Sequence, residues 1–307
     1  MSKSILVTGG TGLIGSEIIN LLLQNNYEVI TLNRTEPSIK HENLQWIKFD
    51  ILSEQIEKVL ESISNIDGVI HTAAYLKFEN NYKDVEYSRK VNIEFTDKLF
   101  HHLVTLDKEM PVIYFSSLSI LQKPLNNVIT EGHSIAPNTI YALSKYWGEL
   151  SLLSYTKDSK IRPVIFRVSS PISQDIDRLH NNVVKVWVDL ARAGHKITVF
   201  GKGERTQDFV STEDIANAVL LALKNNKANG IFNIASGTSI SMNKLAEEIA
   251  GFFNVRFEQR RMDENENDRW NISLKKATNV LGYQPKYSSS TVISNMLNNC
   301  FEGRNTK

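Results

Sequence analysis

Apolar and polar positions in the first half of the chain alternate between two rhythms. Short, largely β-branched runs occupy Ile5–Val7, Tyr27–Leu32, Leu44–Phe49, Gly68–His71, Pro111–Phe115 and Pro163–Val168. Runs of this length predict buried strands. Between them, Leu13–Leu23, Ser53–Ile63, Tyr82–Leu106 and Ile140–Tyr155 carry apolar residues at helical spacing. Strands alternating with helices predict an α/β fold of right-handed βαβ units, its parallel sheet covered on both faces. After Val168 the rhythm changes. A turn-rich segment, SSPISQDIDRLHNN, leads to a predicted helix near Val183–Arg192. Strands at Ile197–Phe200 and Asp208–Val210 then flank the turn GKG. A helix at Thr212–Lys224 and a strand at Ile231–Ala235 restore the α/β pattern, and the rest reads as mostly helical and polar.

Composition narrows the class. At roughly 100–200 residues per domain, a chain of 307 residues is one large or two smaller domains. With 35 basic and 34 acidic side chains the net charge is +1, which argues against nucleic acid or an acidic membrane as partner. At 41% hydrophobic and 22% charged, the chain is a globular protein rather than a disordered one. The single cysteine, Cys300, excludes an intrachain disulfide framework and a cysteine-based zinc cluster. His71, His101, His102, His133, His180 and His195 show no metal-ligand spacing, so no metal is expected. The apolar run at the start is too short for a signal peptide. No stretch approaches the roughly 18 apolar residues of a spanning helix, so a cytoplasmic location and no membrane contact are expected. There is no internal repeat.

The segment VTGGTGLIG places Gly9, Gly12 and Gly15 directly after the first strand. Small residues there allow a tight turn, close approach of backbone to a pyrophosphate, and close helix–strand packing. The following helix offers free N–H groups and the positive end of its dipole. Gly9, Thr11, Gly12, Leu13, Ile14 and Gly15 are therefore candidate dinucleotide contacts. The second strand ends at Asn33-Arg34. An acidic residue there would accept from a ribose 2′-OH and repel a 2′-phosphate. Arg34 can instead pair with phosphate, which favours NADP over NAD. Asp50, beside Ile51 after the third strand, either meets the adenine edge or caps the next helix. The pattern predicts a doubly wound, Rossmann-type domain over 1–170, to which 205–235 returns. Residues 171–204 and 236–307 form a smaller discontinuous cap over the carboxyl ends of the strands.

Tyr141 and Lys145 sit four apart in a helical pattern, which puts phenol and ammonium on one face. A free tyrosine titrates near pH 10. A neighbouring ammonium and an oxidised nicotinamide would lower that value and suit the phenol to proton exchange. The fifth strand ends Phe115-Ser116-Ser117-Leu118-Ser119. One of these serines can hold a substrate hydroxyl or carbonyl beside the tyrosine.

Taken together, these segments resemble the extended short-chain dehydrogenase/reductase family, the NAD-dependent epimerase/dehydratase group, over nearly the whole chain. TGGTGLIG is similar to its phosphate loop, IHTAAY to its fourth-strand motif and VNIEFT to the helix carrying its landmark asparagine. FSSLSIL, YALSKYWGE, FRVSSP, GKGERTQDFVSTEDIA and LGYQP follow in the family's order. The resemblance implies that Tyr141 is the acid/base, Lys145 its partner and Ser117 the substrate-positioning hydroxyl. It implies further that Thr72, Ala73, Ala74 and Asn92 line or support the cofactor.

Departures narrow the chemistry. Members that dehydrate nucleotide sugars carry an acidic pair where this chain has Leu118 and Ser119. Without a carboxylate no group is placed to take the C5 proton, which argues against a 4,6-dehydratase. Ser170 stands where many members carry asparagine, and Gln207 where several carry arginine. Arg205 or Arg269 is then the candidate cation for a substrate pyrophosphate. With Ser117, Ser119, Asn182 and Gln207 they complete the candidate substrate contacts. Trp46, Trp147 and Trp187 read as packing residues, Trp187 with the alternative of approaching a substrate base.

The expected function is an enzyme acting at a sugar C4 carbonyl or hydroxyl: a nucleotide-sugar 4-ketoreductase using NADP, or alternatively a 4-epimerase with tightly bound NAD. A sensor that holds NADP without turnover would have no use for the tyrosine–lysine pair. Relatives commonly form homodimers through the two long helices. Phe95, Leu99, Leu103 and Leu106 on one, and Tyr146, Leu150 and Leu153 on the other, are the expected contacts.

Overall fold

The computed structural model of the chain describes residues 2–63, 65–76, 81–179, 182–260 and 262–302. In chain order the first elements are β1 (Ser4–Thr8), α1 (Leu13–Gln24), β2 (Glu28–Asn33), β3 (Leu44–Lys48), α2 (Ile56–Ser62), β4 (Gly68–His71), α3 (Tyr82–Ser88) and α4 (Phe95–Thr105). Then come β5 (Met110–Ser117), α5 (Ile140–Thr156), β6 (Ile161–Val168), β7 (Ser170–Ile172), α6 (Val183–Arg192), β8 (Ile197–Phe200), β9 (Thr206–Ser211) and α7 (Thr212–Lys224). The chain continues with β10 (Gly230–Ile234), β11 (Ser239–Ser241), α8 (Met242–Phe253), β12 (Phe257–Arg260), α9 (Lys275–Leu281) and α10 (Ser289–Glu302).

Seven strands form a parallel sheet in the order β10-β6-β5-β4-β1-β2-β3. Successive side chains of a strand point to opposite faces. Ile5 and Val7 of β1 therefore pack in the layer of α1 and α7, and Leu6 in the layer of α2 and α4. Burial on both faces is why these strands read as unbroken apolar runs. The chain moves outward from β1 to β3, then returns to lay β4 against the other side of β1. That reversal opens a crevice at the carboxyl ends of β1 and β4, where open α/β sheets bind ligands.

A separate core of Trp187, Val188, Phe209, Leu245, Ile249 and Met296, among others, holds α6, α8, α10 and the short strands together. Two small sheets, β11-β9-β7 and β12-β8, belong to it. Residues 262–274 run as a strap between β12 and α9 rather than as the expected helix. The buried Asp268 carboxylate in the strap accepts from Lys123 Nζ (2.7 Å) and Leu125 N (2.9 Å), and Ile129 N donates to the Asn271 carbonyl (2.8 Å). The strap thus binds the loop that follows β5.

Three expectations are corrected. The single helix predicted over Tyr82–Leu106 is α3, a π-helical segment at Arg89–Glu94, and α4. The helix predicted from Ser53 starts at Ile56, because the Asp50 carboxylate accepts from Leu52 N (3.1 Å) and Glu54 accepts from Asp50 N (2.8 Å). Asp50 therefore builds a turn and does not cap α2. β5 and β6 are longer than predicted, pairing from Met110↔Ile161 to Ser117↔Val168.

Candidate active site

A cavity of about 350 Å³ opens at the carboxyl ends of β1, β2 and β4. Gly9, Thr11 and Gly12 line it from the loop after β1. Asn33 and Arg34 line it after β2, Asp50 and Ile51 after β3, and Thr72, Ala73 and Ala74 after β4. Leu13 and Ile14 open α1, and their side chains pack into the cap core and the sheet core respectively. Sequence reasoning missed Tyr75, Tyr87 and Val91 on the same wall. The signal was present for Tyr75, which ends the motif IHTAAY.

These residues fit a dinucleotide on four observations. Gly9 has φ +76°, and a Cβ there would lie 2.7 Å from Ala73 N. Only glycine brings the loop this close to β4. Gly12 caps α1 without a side chain, leaving the first N–H groups of the helix for an anion. A Cβ on Gly15 would lie 2.2 Å from the Gly9 carbonyl, so glycine also sets the packing of α1 on the loop. The fourth observation is Asn33. Its Oδ1 accepts from Gly10 N (2.7 Å) and from Thr31 Oγ1 (3.0 Å), whereas its Nδ2 is buried with no partner. Asn33 is therefore left with donors alone to offer a ribose or phosphate oxygen. Arg34 is exposed and pairs with no carboxylate among the described residues.

Tyr141 lies in the first turn of α5, whose N-cap Thr139 accepts from Ala142 N (3.1 Å). Its phenol is hydrogen-bonded with Ser117, the last residue of β5. Lys145, one turn on, donates through Nζ to the Phe115 carbonyl (2.7 Å). Ser117, Tyr141 and Lys145 thus meet at the carboxyl edge of the sheet. In the protein alone the phenol is shifted upward. Burial pushes Tyr141 up to about 12, against a smaller downward pull from Ser117. Burial also brings Lys145 down to about 7. Desolvation is the leading cause for both groups. Beneath them His71, bonded to Thr8 (2.7 Å) and Thr96 (2.8 Å), is held down to about 3 by burial and then by Lys145.

Asn92 sits in the π-helical segment. Its Oδ1 accepts from Tyr75 N (2.7 Å), and its Nδ2 donates to the Tyr75 carbonyl (3.0 Å) and to Ser144 Oγ (3.1 Å). It joins the cofactor wall to the helix of Tyr141 and Lys145.

The candidate substrate contacts are less uniform. Asn182 caps α6 by accepting from Val184 N (2.8 Å). Gln207 Nε2 donates to Ser170 Oγ (2.5 Å), and its Oε1 accepts from Arg205 (3.1 Å), which is itself paired with Asp263 (2.8 Å). This chain of side chains runs from the cap hairpin to the turn after β6. Arg269 donates to the carbonyls of Glu266 (2.7 Å) and Asp268 (3.1 Å). Ser119 Oγ is buried without a partner, while Leu118 packs into a small core with Ile120 and Ile129.

Trp187 is a packing residue, buried in the cap core, and the alternative of approaching a substrate base falls away. Trp147 is 48% exposed, on the face of α5 away from the sheet. Of the expected dimer contacts, Phe95, Leu99 and Leu103 are buried in the sheet core and Tyr146 packs against the small core. Leu106, Leu150 and Leu153 of the expected contacts are exposed, and Leu143 and Trp147 of α5 join them. His180 lies outside the described residues. Among those described, no three His, Cys, Asp or Glu side chains group as metal ligands, and no helix is long and apolar enough to cross a membrane. A larger cavity, about 850 Å³, lies between α1, α6, α7 and α10, and Ser117, Tyr141 and Lys145 line neither cavity.

Known proteins show the family of the chain. The NAD dependent epimerase/dehydratase family matches residues 5–235. A protein of Methanocaldococcus jannaschii named "Putative UDP-glucose 4-epimerase" is 30% identical over 96% of this chain and 97% of its own length. The human dTDP-D-glucose 4,6-dehydratase is 28% identical over 88% of this chain and 78% of its own. The UDP-glucuronic acid 4-epimerase of Bacillus cereus, solved with UDP-glucuronic acid and NAD, superposes with a TM-score of 0.83 at 23% identity, over 96% of this chain and 98% of that one. The chain belongs to the NAD-dependent epimerase/dehydratase family and is an enzyme of the extended short-chain dehydrogenase/reductase type.

Proposed function

We propose that this enzyme moves a hydride at C4 of a nucleotide sugar, and that its first activity is 4-epimerisation. The observation that carries the reading is the meeting of Ser117, Tyr141 and Lys145 at the carboxyl edge of the sheet, the edge whose β1, β2 and β4 ends open the glycine-lined cavity. A bound nicotinamide supplies hydride acceptance and donation, and in its oxidised form a positive charge beside the phenol. Gly9, Thr11, Gly12, Asn33, Thr72, Ala73 and Ala74 would hold the dinucleotide. The Ser117 hydroxyl would hold the C4 oxygen against Tyr141, whose phenol exchanges the proton of that oxygen. At rest the phenol is neutral, so it is ready to donate when the C4 carbonyl is reduced. Proton removal in the other direction needs the cationic charge that the site gathers when loaded. Lys145, fixed at Phe115, holds its Nζ 5.9 Å from the centre of the Tyr141 ring.

The name of the M. jannaschii relative and the NAD bound by the B. cereus epimerase support epimerisation. Leu118, in a core rather than facing a substrate, supports the absence of dehydratase chemistry. In this reading residues 171–204 and 236–307 act as the cap that takes the sugar nucleotide, with Arg205 and Arg269 nearest in character to a pyrophosphate partner. The exposed stripe on α5 supports a homodimer built on that helix.

A second reading, a 4-ketoreductase using NADPH, is favoured by Asn33 and Arg34. An amide donor and an exposed guanidinium stand where an acidic residue would favour NAD. The purified enzyme decides between them. One equivalent of NAD retained through gel filtration, with conversion of UDP-glucose to UDP-galactose, is expected for the epimerase. Protein that arrives empty, binds NADPH and reduces a UDP-4-keto sugar without interconverting the two epimers would replace it with the reductase.

A further inference from the structure

Behind the catalytic residues lies a buried ion pair that the chemistry above does not use. Arg167 of β6 grips Glu149 of α5 with two bonds, Nε to Oε1 (2.9 Å) and Nη2 to Oε2 (2.7 Å). The side chains are 4% and 1% exposed. Ser116 Oγ donates to Glu149 Oε1 (2.5 Å), and Ser116 is also the register partner of Arg167 across β5 and β6. The third arm of Arg167, Nη1, donates to the Glu131 carbonyl (2.9 Å). The Glu131 carboxylate in turn accepts from Asn233 N of β10 (2.9 Å).

The placement is what gives the pair its meaning. Ser116 precedes Ser117. Glu149 lies one helical turn after Lys145 and two after Tyr141, on the same face. The ion pair therefore closes a triangle between β5, β6 and α5 at the level of the reacting residues, and extends to the loop that includes Glu131. A buried pair is a poor source of stability, since well-packed apolar side chains of similar volume often replace it at no loss. Its directional bonds do fix register, which apolar contacts do loosely. We propose that Glu149 and Arg167 are positioning residues, whose triangle with Ser116 sets α5 along β5 so that Tyr141 meets Ser117. The inference rests on the roles given above to those two residues.

The test removes both charges together. Glu149→Leu/Arg167→Met is expected to melt near the wild-type temperature, because neither charge is left unpaired. With UDP-glucose and NAD its KM and cofactor affinity should stay within about threefold, while kcat falls about 10- to 100-fold, as for a misplacement near 1 Å. Its crystal structure should show the Tyr141 phenol out of hydrogen-bond range of Ser117. Wild-type kcat with that contact retained overturns the proposal. If the double variant does not fold, Ser116→Ala leaves the ion pair intact and cuts only its tie to β5. A severalfold loss of kcat and a displaced Ser117 are then expected, and an unchanged kcat and contact again overturn it. If wild type does not convert UDP-glucose, the proposed activity fails on its own, and the two crystal structures still decide the positioning role.

Discussion

Gly148→Ala is a small change with a large expected effect, because α5 touches β5 at that residue. A Cβ on Gly148 would lie 2.3 Å from the Tyr114 hydroxyl and 2.4 Å from its Cζ. Carbon contacts settle at about 3.5–4.0 Å, so helix and strand must part by roughly 1 Å. Tyr114 cannot give way. It is buried, stacked on His71 at 5.7 Å, edge-on to Phe100 at 5.7 Å, and donates to the Lys145 carbonyl at 3.3 Å. Overpacking of this kind costs about 1–3 kcal/mol, offset by up to about 1 kcal/mol from the better helix propensity of alanine. Gly148 lies between Lys145 and Glu149, so the parting lifts the catalytic face as well, and kcat should fall by about 100-fold. Urea unfolding of the protein and steady-state turnover of UDP-glucose measure the two effects. A variant with wild-type midpoint and wild-type kcat would refute both the tight contact and the claim that α5 placement limits the reaction.

Lys145→Met should abolish turnover yet stabilise the protein by a few kcal/mol at pH 7 and below. The folded lysine titrates near 7 and the unfolded one at its ordinary 10.5, so between these values only the unfolded chain gains a proton. The advantage of methionine should therefore be full below pH 7 and fade as pH rises toward 10.5; a gap that widens with pH in urea titrations would reverse the sign of the argument. Arg34→Ala should weaken NADPH by a few kcal/mol, since charge-assisted bonds are worth about 1.5–3 kcal/mol each, and leave NADH nearly unchanged. Equal losses for both cofactors in calorimetry would return Arg34 to solvent. Trp147→Glu should convert a dimer to a monomer by light scattering at micromolar concentration, whereas a monomeric wild type would remove the α5 interface altogether.

The sheet was legible in the sequence because a strand buried on both faces leaves a continuous apolar run. β7, β11 and β12 were not, since SPI, SIS and FEQR are too short for a period to appear. The π-helical segment at Arg89–Glu94 was hidden for another reason. A single widened turn keeps the helical composition and shifts only the phase, and that shift is what turns Asn92 toward Tyr75 and Ser144. The apolar stripe Phe95-Leu99-Leu103 was correctly periodic, but a period marks a buried face without saying what buries it. In α4 the sheet claims that stripe. In α5 the sheet-facing side is Tyr141, Lys145, Gly148 and Glu149, so Leu143, Trp147 and Leu150 are left outside.

That inversion explains the least legible part of the site. A helix packed on a sheet normally turns its apolar side inward, and α5 turns inward a phenol, an amine, a glycine and a carboxylate. Each of these needs a compensating group from the strands. Ser117 serves Tyr141, the Phe115 carbonyl serves Lys145, the Tyr114 ring fills the gap at Gly148, and Ser116 with Arg167 serves Glu149. Read along the chain, Glu149 is an ordinary helical glutamate and Arg167 a charge in an otherwise apolar strand. Only their register places them together. The same polar face therefore leaves the apolar residues of α5 on the outside. The two faces are tied together: a change that rotates α5 to bury Trp147 would have to expose Glu149 and release Tyr141 from Ser117.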